Sequence, residues 1–180
     1  MTVYQTQAGT PVHLGGEVWS TGSLTGISDG GDVAVYIPTS GYQYVNVVIH
    51  YDGTGTGINA YTQFHSNQGG RVPMEYAYRG HYVGGTTFSH TGGADTWQTF
   101  STNLDCDQGW LLNAIIPVGP NFNQRPQIQV DMVYTRNAVG VARLHGAASY
   151  TGGYPIERIG CNIDNTGVVT ALYWKVIGYK

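Results

Sequence analysis

Hydrophobic and polar residues alternate along much of the chain, in runs too short for helices and punctuated by glycine. The run Tyr42-Gln43-Tyr44-Val45-Asn46-Val47-Val48-Ile49-His50-Tyr51 alternates closely enough to predict a strand with one wet face. Similar patterns predict strands at 33–37, 58–65, 72–78, 127–134 and 168–177, with further candidates at 96–104 and 111–117. Turn signals separate them: Asp29-Gly30-Gly31-Asp32, Asp52-Gly53, Asn67-Gln68-Gly69-Gly70, Gly84-Gly85, Gly92-Gly93 and Asn165-Thr166-Gly167. Every window with apolar residues at helical spacing is broken by Gly or Pro. The stretch 137–149 alone gathers helix formers, and Gly140 and Gly146 spoil it as a helix. Residues 1–180 are therefore expected to form one all-β domain, an antiparallel β-sandwich of jelly-roll type, with at least eight strands and almost no helix. Ile156, Ile159, Ile163, Val169, Leu172 and Val176 are expected in the core, with a bulge near Gly160 where strict alternation fails.

Composition narrows the function classes. A chain of 180 residues buries enough surface to fold without a metal or disulfide. Only 11% of residues are charged, against roughly 25% in an average domain. Such a surface suits permanent neighbours, because few charges lose water when it is covered. The net charge of −3 and the scattered basic residues argue against nucleic-acid binding. The run Leu111–Val118 is far shorter than the ~20 residues of a spanning helix, so no membrane insertion is expected. The opening Met1-Thr2-Val3-Tyr4 reads as no export signal, and Cys106 and Cys161 are accordingly expected as free thiols.

Candidate chemistry is sparse. Gly26-Ile27-Ser28-Asp29-Gly30 matches G-x-S-x-G, but a strand pattern rather than a helix follows it, so no nucleophile is assigned. Gly53-Thr54-Gly55-Thr56-Gly57 has neither the spacing nor the following helix of a phosphate loop. His13, His50, His65, His81, His90 and His145 are dispersed, and the acidic turns at Asp29/Asp32 and Asp105/Asp107 are better read as backbone caps than as ion ligands. Glu75 could pair with Asp95 or Asp131 as glycosidase carboxylates, though nothing in the spacing asks for it. No catalytic residue, metal or cofactor is expected. Aromatic residues give the best lead: Tyr76, Tyr78, Tyr82, Phe88 and Trp97 crowd one Gly- and His-rich segment. Tyr76, Tyr78, Tyr82 and Trp97 are the candidate ligand-binding residues, able to stack on sugar faces or to line a subunit contact.

The C-terminal third carries a resemblance. Tyr154-Pro155-Ile156-Glu157-Arg158-Ile159-Gly160-Cys161-Asn162-Ile163-Asp164-Asn165-Thr166-Gly167 leads into a last strand ending Val176-Ile177-Gly178-Tyr179-Lys180. This strand–loop–strand, with a strand like 44–51 before it, resembles jelly-roll virion proteins of tailed bacteriophages. In those, the last strand commonly reads L-Y-G-I-K, an order changed here. The resemblance spans about 42–180 and implies a capsid decoration or cement protein, a head fibre or a tail-fibre tip, without catalytic residues. On that basis the expected function is a structural virion protein on the particle surface, assembled in the host cytoplasm. Its partners would be itself, as a homotrimer, and the major capsid protein or the tail. The alternatives are a tail-fibre tip module that binds a host surface glycan, and a small β-sandwich glycan-active enzyme.

Overall fold

The computed structural model describes residues 4–7, 10–13, 15–27, 32–54, 59–66, 74–82, 87–92, 109–118, 127–136, 140–150, 156–164 and 168–180. Among them there are thirteen strands and no helix. They are β1 Tyr4–Gln7, β2 Thr10–His13, β3 Glu17–Ile27, β4 Asp32–Tyr36, β5 Tyr44–Thr54, β6 Asn59–Ser66 and β7 Met74–Tyr82. The remainder are β8 Thr87–Gly92, β9 Trp110–Pro117, β10 Gln127–Arg136, β11 Gly140–Tyr150, β12 Ile156–Asp164 and β13 Val168–Tyr179. All pairings are antiparallel, in three sheets: β1-β2, the eight-stranded β3-β13-β5-β9-β10-β11-β7-β8, and the three-stranded β4-β12-β6.

Successive strands β3 to β6 alternate between the large and the small sheet, and β12 and β13 alternate again on the way back. In the large sheet β13 lies between β3 and β5; in the small sheet β12 lies between β4 and β6. The two sheets share one apolar core. Val33, Val35 and Ile37 from the β4 side, with Ile156 and Ile159 of β12, belong to the same buried cluster as Val45, Val47, Ile49, Leu112, Ile116, Met132 and Leu144 of the large sheet. The fold is thus an all-β antiparallel sandwich.

Period-two alternation explains which face is buried. In β9, Trp110, Leu112, Ala114 and Ile116 are buried while Leu111, Asn113 and Ile115 are exposed. From Gly140 onward the stretch 137–149 belongs to β11. Ala142, Leu144, Gly146 and Ala148 alternate inward against exposed Val141, Arg143, His145 and Ala147. The small inward residues hid this pattern, because Ala and Gly carry little hydrophobic signal. β3 was also not anticipated.

Of the six residues expected in the core, Ile156, Ile159, Leu172 and Val176 are buried, while the side chains of Ile163 and Val169 lie outside the described set. The bulge expected near Gly160 falls just before it in β12, between Ile156 and Arg158. Two buried isoleucines three residues apart cannot share one face of a regular strand, so one residue must be absorbed between them. The candidate strand at 96–104 and Cys106 lie outside the described residues.

Candidate interaction face

Described residues on the outer face of the large sheet are exposed or half-buried from β13 to β7. Strand register lays its positions out in rows. One row runs Tyr173, His50, Leu111, Val133, Arg143, His81; the next runs Lys175, Val48, Asn113, Asp131, His145, Arg79. Leu111, Val133, Val141, Ile115 and Tyr173 are large apolar residues exposed on this face. Few charges interrupt them.

The polar groups on this face are organised. The Asn46 side-chain amide donates to Oδ1 of Asn113 at 2.7 Å. His50 and Tyr173 stack at 6.0 Å between ring centroids. On β10, Asp131 gathers two donors from β11: His145 Nδ1 at 2.9 Å and Arg143 Nη2 at 3.3 Å, both onto Oδ1. Register brings them there, since Asp131 stands directly opposite His145 with Arg143 on the diagonal. Partial burial of Asp131 favours its neutral form. The bonds from His145 and Arg143, reinforced by their charge, outweigh that and hold the carboxyl below its usual value.

At one end of the sheet a second cluster forms. Tyr44 and Tyr179 stack at 4.6 Å, and the Tyr42 ring lies on Gly178, where a side chain would collide with it. Lys180 bonds Glu17 at 3.0 Å and sits over the Tyr42 ring, and the Glu17 carboxylate raises the lysine's pKa. Both partners are largely exposed, so this pair contributes little to stability.

β3 forms one edge of the large sheet, eleven residues long. Val18 (53%), Trp19 (41%) and Leu24 (43%) are exposed along it, and its sole charged residue, Glu17, is engaged by Lys180. Proline and lysine, the residues that usually keep an edge from pairing with another chain, are absent from it.

The sequence candidates are distributed differently. Tyr76, Tyr78 and Tyr82 all fall on β7, at register positions opposite Ala148, Gly146 and Ala142, which are positions of the core face. Trp97 lies outside the described residues, as do Ser28, Asp29, Asp95, Asp105 and Asp107. Glu75 pairs with Ser149. That position is two strands across and four residues along from Asp131, roughly 17 Å by sheet spacing, where glycosidase carboxylates stand about 5–10 Å apart. Among the described residues no group of three or more His, Cys, Asp or Glu could hold a metal ion. Sequence reasoning missed the cluster of Asp131, Arg143 and His145. Its signal is the hairpin register of β10 and β11, since no spacing along the chain reveals it.

No family model matches the chain, and no curated protein matches it by sequence. Among solved structures it aligns with the infectious bursal disease virus VP2 subviral particle at 12% identity and a TM-score of 0.17, over 100% of this chain and 46% of that one. The structure of the infectious bursal disease virus Gx strain aligns at 12% identity and 0.18, over 99% and 45%. The chain spans about half the length of either.

Proposed function

We propose that this chain is a structural virion protein, a decoration, cement or accessory module that works by docking on copies of itself and on a particle surface. The observation that carries the reading is the β3 edge: eleven residues of unprotected strand with Val18, Trp19 and Leu24 facing water. A lone soluble protein with such an edge is prone to uncontrolled pairing, whereas one with a permanent neighbour is not. The nesting of β13 between β3 and β5, and of β12 between β4 and β6, supports a jelly roll in which β10, β11, β7 and β8 extend one sheet. Jelly rolls serve as capsid modules and as lectins, so the fold agrees with this function without choosing it. The sequence resemblance to phage virion proteins supports the particle surface as the location, reached after assembly in the host cytoplasm.

In this reading the chain forms a closed homo-oligomer, a trimer, because an edge contact that did not close would propagate into filaments. It carries out no catalysis. Light scattering at micromolar concentration and co-sedimentation with purified particles test the proposal together. A discrete oligomer that co-sediments is the expected result. A stable monomer that ignores particles and binds a neutral glycan would replace this reading with the lectin one.

A further inference from the structure

Four basic residues of the outer face stand together. Arg143 and His145 of β11 stand directly opposite His81 and Arg79 of β7, forming a two-by-two block in which like residues lie on the diagonals. All four side chains are exposed. Arg143 and His145 share the single carboxylate of Asp131. Among the described residues, Arg79 and His81 have no ion-pair partner. The diagonal between the two arginines spans about 7–8 Å at the backbone, within which two flexible guanidinium groups can converge on one compact anion. In a chain of net charge −3 the two arginines make this block locally positive.

We propose that Arg79, His81, Arg143 and His145 bind an oxyanion (sulfate, phosphate or carboxylate) carried on a saccharide. The surroundings favour a sugar over other polyanions. Gln129 and Asn113 on the same face offer amides for hydroxyl groups, and exposed Val133 and Ala147 supply small apolar contacts. A nucleic-acid backbone needs a track of cations. Here Lys175 lies three strands beyond Asp131, roughly 14 Å away by sheet spacing. The face is flat, so a single site binds weakly and useful affinity comes from several copies displayed together. This site is independent of the virion reading, because it stands on the monomer's own face. Tyr76, Tyr78 and Tyr82 hold register positions of the other face, and the intervening residues of the same strand, Arg79 and His81, carry the chemistry of this site.

The test titrates the intact protein, by NMR or calorimetry, with a sulfated octasaccharide, an oligogalacturonate, a neutral glucan oligomer, polyglutamate and sodium sulfate alone. The expected result is binding of one or both acidic saccharides. It should weaken about tenfold or more in the double variant R79Q/R143Q. The variant D131N, which removes the competing carboxylate, should bind more tightly, and all variants should keep the wild-type circular dichroism spectrum. Equal binding of sodium sulfate or polyglutamate, binding of the neutral glucan, or binding unchanged in R79Q/R143Q would overturn the proposal, as would no binding at all. Loss of oligomerisation would leave it standing while removing the virion reading.

Discussion

The indole of Trp174 on β13 lies against Gly22, its register partner on the neighbouring β3, so closely that any Cβ at Gly22 would collide with the ring. Glycine here is demanded by a side chain on the next strand and not by backbone conformation. Replacing Gly22 with Val should push Trp174 off the core edge and cost about 1–3 kcal/mol, as overpacking does. Urea denaturation followed by tryptophan fluorescence measures both the loss and the displaced ring.

Gly109 presents the opposite cause. It enters β9 with φ at +100°, and a Cβ there would stand 2.5 Å from the Tyr51 carbonyl oxygen. Both strain and collision oppose any other residue. Gly109→Ala should therefore cost more than 1 kcal/mol, although alanine usually stabilises a loop by restricting the unfolded chain. A stabilised variant in thermal unfolding would contradict the local geometry.

Neighbouring leucines of β9 separate core from face. Leu112 is fully buried, while Leu111 is exposed on the outer sheet face. Leu112→Ala should cost about 2–5 kcal/mol and Leu111→Ala under about 1 kcal/mol. Paired denaturation curves read the difference, and similar losses at the two positions would mean that β9 is shifted by one residue.

These pairs also show what the sequence made legible. β5 alternates apolar with polar residues over much of its length, so its burial follows from the pattern; β9 carries Leu111 and Ile115 on its exposed side, and its inward face is fixed only by its pairing with β5 and β10. β3 was invisible because an edge strand wet on both faces leaves no alternation: Val18, Trp19 and Leu24 are all exposed, separated by Ser, Thr and Gly. β11 was obscured because its inward positions are Ala142, Gly146 and Ala148 around a single leucine, Leu144. The Asp131–His145 contact spans fourteen residues and exists only once β10 and β11 pair. Local spacing could not disclose it. The tyrosines of β7 were conspicuous by composition, yet their register is that of the core face, and the less conspicuous Arg79 and His81 occupy the open one.

Asp131 should give stability a small acid dependence. Its folded pKa is lowered from 3.8, so its contribution is present above the unfolded value and is lost as pH falls through the folded one. Arg143 and His145 are more than half exposed, which screens the interaction and limits it to under about 1 kcal/mol. The variant D131N should lack that increment of acid destabilisation below about pH 4. Chemical denaturation of both proteins across that range checks the sign; a steeper acid loss in D131N would reverse it.

Cys106 and Cys161 are expected to be free thiols. Thiol titration of unreduced, denatured protein should count two per chain. Zero would indicate a disulfide, and with it an oxidising compartment at odds with cytoplasmic assembly.

The last prediction concerns the edge that carries the functional reading. Val18 and Leu24 are exposed on β3, so lysine at either position can be solvated without opening the core. In an assembly that covers β3, the same lysine would lose water against an apolar neighbour or oppose a like charge, which is how natural edges prevent pairing. The double variant V18K/L24K should keep the monomer's fold and stability within about 1 kcal/mol. It should also raise the concentration for half-dissociation by about tenfold or more, each tenfold corresponding to about 1.4 kcal/mol. A control variant on the outer face, L111K/V133K, separates the two surfaces: if β3 is the contact, it should leave the oligomer intact. Sedimentation velocity over a concentration series reads all three proteins. Dissociation in the outer-face control alone would move the contact to that face, and an oligomer insensitive to both changes would refute docking through β3.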